Sequence, residues 1–388
     1  MRSAIPIALP LLSILLLTGC WDKAELTEYG FVQAIALDWT TKDKVELTTH
    51  FYRPSGGMES SGSPPGAKGI TIKTQADTVF EAVRDISIHF GRKPKWDHMR
   101  TIIIGEKLAQ KLEIQEILDF FIRDHETRET TFVMIAEGKA SKFLYIKPLI
   151  ESTIGQQLRA MEDSTFKYSA KTSRLPLLDL AIQFKSETNI LTVPYISKSK
   201  SSETISLSGI ALLKDGIMTK TVITPAHTES LLMVLNKYQN GILEFPCKEE
   251  SNYKMNKESF EVSSLDTKVT PKFNGNEMTV EVRTKIKGTI GELHCSSLKT
   301  KEDGQQFQVR VSKQVESNIR KMIKYIQNEK MDAIGIGNQI YRRNSKLWKD
   351  WKPSWDEHFS EIHFDVHVEV NVLNSGMEIG TPFGKKGG

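Results

Sequence analysis

Three cysteines in 388 residues exclude a disulfide-dense mini-domain. Charge of one sign is also scarce: 52 Lys and Arg stand against 48 Asp and Glu, a formal net charge of +4. So small a surplus argues against nucleic acid as the main partner, because phosphate-binding domains concentrate Lys and Arg on one face. Long apolar runs are confined to the first twenty residues, which excludes a polytopic membrane protein. With 39% hydrophobic and 26% charged residues the chain is not intrinsically disordered. At roughly 150 residues per domain it has length for two or three domains with full cores.

The apolar start reads MRSAIPIALPLLSILLLTGC. Arg2 supplies a positive n-region, the stretch 4–17 an h-region, and Leu17-Thr18-Gly19-Cys20 follows before the polar Trp21-Asp22-Lys23. This is the pattern of a secretory signal. A spanning helix needs about 20 apolar residues and tolerates Pro6 and Pro10 poorly, so an uncleaved anchor ranks second. The cut site resembles a bacterial lipobox: Leu, a small residue, Gly or Ala, then Cys. In such signals the Cys thiol takes up diacylglycerol and a dedicated peptidase cuts before it, as thiolate nucleophilicity allows near neutral pH. Two acyl chains make a stable anchor where one is marginal. Cys247 and Cys295 remain. Outside the cytosol they either form a disulfide or stay as two separate buried thiols, since spacing does not say whether their Cα atoms lie within about 7 Å.

Alternating strand and helix patterns over 31–38, 44–51, 70–73, 78–90, 99–105, 113–123, 131–136 and 141–146 describe a compact α/β region, with Asp77 expected to cap its first helix. Eleven of the thirteen residues in 54–66 are Pro, Ser or Gly, which marks a surface loop. The pattern becomes helical over 150–180, so an internal break is expected near residue 150. The polar KSKSSE at 198–203 is the expected boundary between an N-terminal region, 21–200, and a C-terminal domain, 201–388. There, 205–222 reads as a hairpin across Lys214-Asp215-Gly216 and 229–238 as a helix. Strand patterns follow over 241–245, 259–265, 267–273 and 278–290, with Asn274-Gly275 as a turn. Val311, Val315, Ile319, Met322, Ile323 and Ile326 form the stripe of a long helix over 305–327, and 362–370 alternates as a strand. The expected class is α+β and multi-domain, with mixed or antiparallel sheets, packed helices and the long helix in the C-terminal domain.

Catalytic patterns are missing. No Gly-x-Ser-x-Gly elbow occurs, Gly380-Thr-Pro-Phe-Gly384-Lys385 is one residue short of a phosphate loop, and Gly335-Ile336-Gly337 lacks the third glycine of a dinucleotide fingerprint. His363 and His367, flanked by Asp365 and Glu369, alternate as a strand face; there the two imidazoles lie about 13 Å apart, too far for one ion, so no metal is expected. Asp124-His125-Glu126 reads as a polar loop. Trp348, Trp351 and Trp355 follow i, i+3, i+7 spacing interrupted by Pro353. They either plug the edge of the C-terminal core or form a contact surface for a membrane interface or protein partner. Trp96, beside Lys93, Lys95 and Arg100, carries the same two readings.

Three segments together resemble the C subunit of bacterial spore germinant receptors, the GerC-type lipoproteins. The first is Gly19-Cys20-Trp21-Asp22 with Glu25-Leu26 and the glycine-led strand Gly30-Phe-Val-Gln-Ala-Ile-Ala-Leu-Asp38. The second is His98-Met-Arg-Thr-Ile-Ile-Ile-Gly-Glu-Lys-Leu-Ala109, continuing to Leu118-Asp-Phe-Phe-Ile-Arg-Asp124 and Arg128. The third is Asp332-Ala-Ile-Gly-Ile-Gly337 with Trp348 and Trp355. The Cys247 and Cys295 pair is not part of that pattern. The resemblance implies a non-enzymatic subunit without cofactor, tethered by the N-terminal diacylglycerol on Cys20 to the outer face of the spore inner membrane. It also implies integral membrane A and B subunits as partners and a role in nutrient-triggered germination. Two other classes remain as alternatives: an extracytoplasmic solute-binding lipoprotein, expected to fold as two similar lobes around a deep cleft, and a cell-envelope hydrolase, which the missing motifs disfavour.

Overall fold

The computed structural model describes residues 25–53, 69–199, 204–247, 256–274 and 277–374. The leader with Cys20, the Pro/Ser/Gly-rich stretch 54–66, residues 200–203 of the expected boundary, Gly275 of the expected turn and the tail with Gly380 and Lys385 lie outside them.

The chain opens with strands β1 (Tyr29–Trp39), β2 (Val45–Tyr52) and β3 (Gly69–Ala76), helix α1 (Val79–Phe90), and strands β4 (Lys93–Lys95) and β5 (Thr101–Gly105). Helices α2 (Glu106–Ala109) and α3 (Ile114–Arg123) lead to β6 (Phe132–Ala136). Helices α4 (Ser141–Leu144), α5 (Ile154–Tyr168) and α6 (Leu177–Gln183) lead to β7 (Ile190–Lys198), β8 (Ile205–Lys214) and β9 (Ile217–Ile223). These strands make one sheet in the order β3-β2-β1-β5-β6-β7-β8-β9, with β4 on the start of β1. Strands β1, β4, β5, β6 and β7 run parallel; β2 and β3 at one edge and β8 and β9 at the other are antiparallel. All five residues of β5 and of β6 are buried, as expected of central parallel strands covered on both faces. On one face Val32, Ile35 and Leu37 of β1 pack with α1, α2, α3 and α6. On the other, Ala34 and Ala36 leave room for α4 and α5. The approach of α5 is closest at Gly155, where a Cβ would lie 2.5 Å from the Gln33 carbonyl oxygen.

The second half contributes α7 (Pro225–Val234), β10 (Gly241–Pro246), β11 (Lys257–Asn274), β12 (Glu277–Glu292), α8 (Lys301–Asn328), α9 (Ile336–Arg343), α10 (Ser345–Trp351), α11 (Trp355–Glu361) and β13 (His363–Asn374). Its four-stranded sheet runs β10-β11-β12-β13 and is mixed, because β13 lies parallel to β12. The stripe of α8, from Phe307 through Val311, Val315, Ile319 and Ile323 to Ile326, packs on this sheet's Phe260, Val280, Val282 and Val366. Ile210, Leu212 and Ile223 of the first sheet belong to the same core, so strands β8 and β9 are shared structural ground.

Three local expectations change. Thr78, not Asp77, caps α1: its hydroxyl accepts the Glu81 amide at 3.2 Å. The strands expected at 259–265 and 267–273 are a single strand, because Asp266 sits opposite Lys285 across the ladder and needs no break there. The long helix starts earlier, at Lys301, where Thr300 and Asp303 form a reciprocal capping box. At the Asp215-Gly216 turn both residues have positive φ, 50° and 83°, the conformation of a two-residue hairpin turn.

Ile319 is fully buried in the α8 stripe, whereas Val309 on the same helix is 50% exposed. Ile319→Ala should lower the unfolding free energy by about 2–5 kcal/mol, and Val309→Ala should change it by less than about 0.5 kcal/mol. Urea unfolding followed by tryptophan fluorescence measures both.

Candidate functional site

Where the parallel strands β6 and β7 end, Glu137, Gly138 and Lys198 border a cleft of about 850 Å³. Phe143, Ile146, Ile154, Met161 and Ile205 supply its apolar walls, and Lys142, Lys147 and Gln157 its polar groups. Open α/β sheets bind ligands beyond strand carboxyl ends, and apolar clefts of this size with a few polar groups are the usual binding concavities. The rear wall is rigid. Asp38, at the end of β1, accepts the backbone amides of Ala140 at 2.7 Å and Ser141 at 2.9 Å, fixing the start of α4 to the sheet. The front wall is the connection from α4 to α5, held by Gln157, whose Oε1 accepts the amides of Leu149 at 3.2 Å and Ile150 at 3.5 Å.

Buried ionisable groups flank this region and the core behind it. Glu162 of α5 is fully buried; its Oε1 accepts the Leu175 amide at 2.8 Å, and Oε2 has no partner. Burial pushes its carboxyl up to about 8. His50 is buried in β2 with Nε2 unpartnered, and burial pushes its imidazole down to about 4. Asp332 is buried between α8 and α9. It accepts the amides of Gly335, Ile336 and Gly337 at 2.8, 3.0 and 2.8 Å, and Trp355 Nε1 at 3.2 Å. Burial raises its carboxyl, and these four donors offset part of the rise. Glu162 and His50 did not stand out in the sequence, because nothing local distinguishes a buried ionisable group from an exposed one; Asp332 did so only as part of the segment Asp332-Ala-Ile-Gly-Ile-Gly337, with no role attached.

The residues singled out in the sequence fall into separate places. Trp348 and Trp355 are 1% and 5% exposed, their rings 5.2 Å apart in the C-terminal core. Trp348 Nε1 donates to Glu187 at 2.9 Å, tying this core to the loop before β7. Burial thus removes both from any contact surface; Trp351 is half-buried and stacks on His358. Trp96 is buried against Phe120 and Phe121. Glu126 of the Asp124-His125-Glu126 loop pairs with Lys95 at 3.0 Å. His363 and His367 share β13 with Asp365 and Glu369. Among the described residues, His367 and Asp365 come within 4.8 Å of Glu281 on β12. Glu281 is already paired with Lys272 and Arg283, however, so two cations occupy the charge a metal would need.

Cys247 and Cys295 are joined in a disulfide across 48 residues. Beside it Glu258 accepts the amides of Cys295 and Ser296, the Ser296 hydroxyl and Arg310 Nη2. Burial alone would raise that carboxyl, but the bonds from Ser296, Cys295 and Arg310 outweigh it and hold the group below the usual range. Among the described residues no helix is long and apolar enough to cross a membrane.

Two unlike sheets, a shared core and an apolar cleft define an α+β protein in which Asp332 and Glu258 accept helix-end and loop amides. Residues 22–198 match the family described as the spore germination protein N-terminal domain, and residues 208–376 the spore germination B3/GerAC-like C-terminal family. The chain belongs to this GerAC/GerBC-like family of spore germination proteins. It is 24% identical to spore germination protein KC of Bacillus subtilis (strain 168), over 97% of each chain. Identity to spore germination protein B3 of the same organism is also 24%, over 97% of this chain and 99% of that one. The crystal structure of the GerBC protein superposes with a TM-score of 0.58 at 22% identity, covering 88% of this chain and 97% of that one, and thus shares the fold.

Asp332→Ala leaves three helix amides and an indole N–H unpaired in the core and should cost about 3 kcal/mol or more in urea unfolding. Glu162 has a raised carboxyl, so its folded form holds a proton that the unfolded chain releases above the ordinary glutamate range. Its contribution is complete at pH 4 and lost as pH rises through about 8. Wild-type stability should therefore fall between pH 5 and pH 8, and the fall should be shallower in Glu162→Gln, measured by urea unfolding across that range. Cys247→Ser/Cys295→Ser should lose about 2–4 kcal/mol by the same measurement.

Proposed function

We propose that this chain is a non-enzymatic subunit of a nutrient germinant receptor, anchored by diacylglycerol on Cys20 to the outer face of the spore inner membrane. Integral membrane subunits of the A and B type are its proposed partners. The observation that carries the reading is the family match. It begins at residue 22, two residues after Cys20, and relatives whose names state a role in spore germination align along 97% of the chain. The lipobox order Leu17-Thr18-Gly19-Cys20 supports the anchor, and the dispersal of the acids and histidines supports a role without catalysis. A two-lobed solute binder would need similar halves; a nine-stranded and a four-stranded sheet are not similar.

We further propose residue 200 as the division between two inherited units that now fold together. The family matches end and resume on either side of it, while β7 pairs with β8 across it.

In spores carrying Cys20→Ala the protein should leave the membrane fraction, and nutrient-triggered germination should slow at least about tenfold, as loss of a two-chain anchor requires. Full membrane retention together with unchanged germination would overturn the anchored-subunit reading. Fractionation with immunoblotting and the loss of spore refractility are the two measurements.

A further inference from the structure

The connection from α4 to α5 exposes aliphatic surface to an unusual degree: Ile150 is 93% exposed, Leu149 72% and Tyr145 62%. Single exposed apolar side chains are ordinary, but three within six residues, continuous with an apolar cleft, mark a contact surface. The tip is not a loose excursion. Gln157, in the first turn of α5, accepts the amides of Leu149 and Ile150, and the buried Thr153 caps that helix through the Gln156 amide. Around it Lys139, Lys142 and Lys147 are exposed, against Glu137 and Glu151.

Its place in the fold points to what covers it. The turn of α5 that holds the tip rests at Gly155 on the backbone of Gln33 in β1. From Gln33 back to Tyr29, the start of that strand, is about 13 Å at the rise of a β-strand. From Tyr29 back to Cys20 the chain reaches at most about 32 Å. The tip and the entry of the chain from its N-terminal segment therefore hang on the same strand.

We propose that the 145–150 tip inserts into the interfacial layer of an anionic bilayer. Leu149 and Ile150 enter the acyl boundary, Tyr145 sits at headgroup depth, and Lys142 and Lys147 meet lipid phosphates. The orientation this implies rests on the anchored-subunit reading: the lipid holds the protein at the bilayer, and the tip decides which face of the large sheet turns toward it.

The test uses the full chain purified from membranes of producing cells and reconstituted in equimolar phosphatidylglycerol–phosphatidylcholine vesicles. A nitrobenzoxadiazole probe is placed on Ile150→Cys and, as a control on the second sheet, on Ile242→Cys, which is 59% exposed in the wild type. The expected result is a blue-shifted probe at 150 that doxyl-labelled lipid quenches at least about twofold, and an unquenched probe at 242. Lys142→Glu/Lys147→Glu should weaken quenching at 150 in anionic vesicles and leave it unchanged in phosphatidylcholine alone. Equal quenching at both sites, or none at 150 while the protein floats with the vesicles, would overturn the proposal. So would a photo-crosslinker at Leu149 that captures a membrane protein instead of lipid, since that places a protein on the tip. Failure of the anchor reads out separately, as protein that carries no lipid on Cys20 by mass spectrometry. Quenching at 150 at high vesicle concentration then still supports insertion, and its absence still overturns it.

Discussion

The structure depends on burying one stripe, the line of Phe307, Val311, Val315, Ile319, Ile323 and Ile326 along the 28-residue helix α8. A helix of this length is amphipathic by necessity, and only the sheet β10–β13 together with α7 and the β8–β9 end of the large sheet offers enough apolar surface to cover it. That is why the two halves of the chain do not separate into independent bodies. The core around α8 contains Ala170 and Ile190 from before residue 200 together with Ile210, Leu212 and Ile223 of the large sheet, and the Tyr325 hydroxyl on α8 donates to the Val222 carbonyl of β9 at 3.2 Å.

Polar groups carry the specificity that apolar burial lacks. Asp332 turns the chain from α8 into α9 by accepting three consecutive amides and then fixes Trp355. Glu187 fixes Trp348 and also accepts Lys352 Nζ at 2.8 Å. Glu258 collects the amides around Cys295 next to the disulfide. Asp332 and Glu258 meet donors that would otherwise be orphaned in a poorly solvated place, whereas Glu187 works at a partly exposed edge. The hydrogen bonds of these acids go to donors within the chain itself. The cleft beside α4 and α5 is different in kind: its walls are apolar, its rim carries lysines, and its outer edge ends in Leu149 and Ile150.

Much of the architecture was legible in the chain because periodicity reports burial directly. The α8 stripe, the buried runs of β5 and β6, the Asp215-Gly216 turn and the alternation of β13 all follow from local pattern and turn chemistry. The family likeness was legible for a different reason: segments near both ends of the chain keep their order and spacing. Other features were not readable. Asp266 looked like a strand break until Lys285 was found opposite it, and a cross-strand partner lies 19 positions away in sequence. The tryptophans had two readings because i, i+3, i+7 spacing is the same whether the stripe faces a core or a partner. Glu187, 161 residues from Trp348, decides between them.

What the sequence determined by itself is therefore the kind of protein. Local periodicities describe an α+β chain, and three segments in fixed order resemble the spore germination family, since each is a property of neighbouring residues. What only the tertiary structure decided is which groups meet: Cys247 with Cys295, Asp332 with Trp355, Glu281 with Lys272 and Arg283, and Gly155 of α5 with Gln33 of β1. Those pairings depend on chain reversals and sheet order, which bring residues tens to hundreds of positions apart within a few ångströms, and no local pattern encodes that distance.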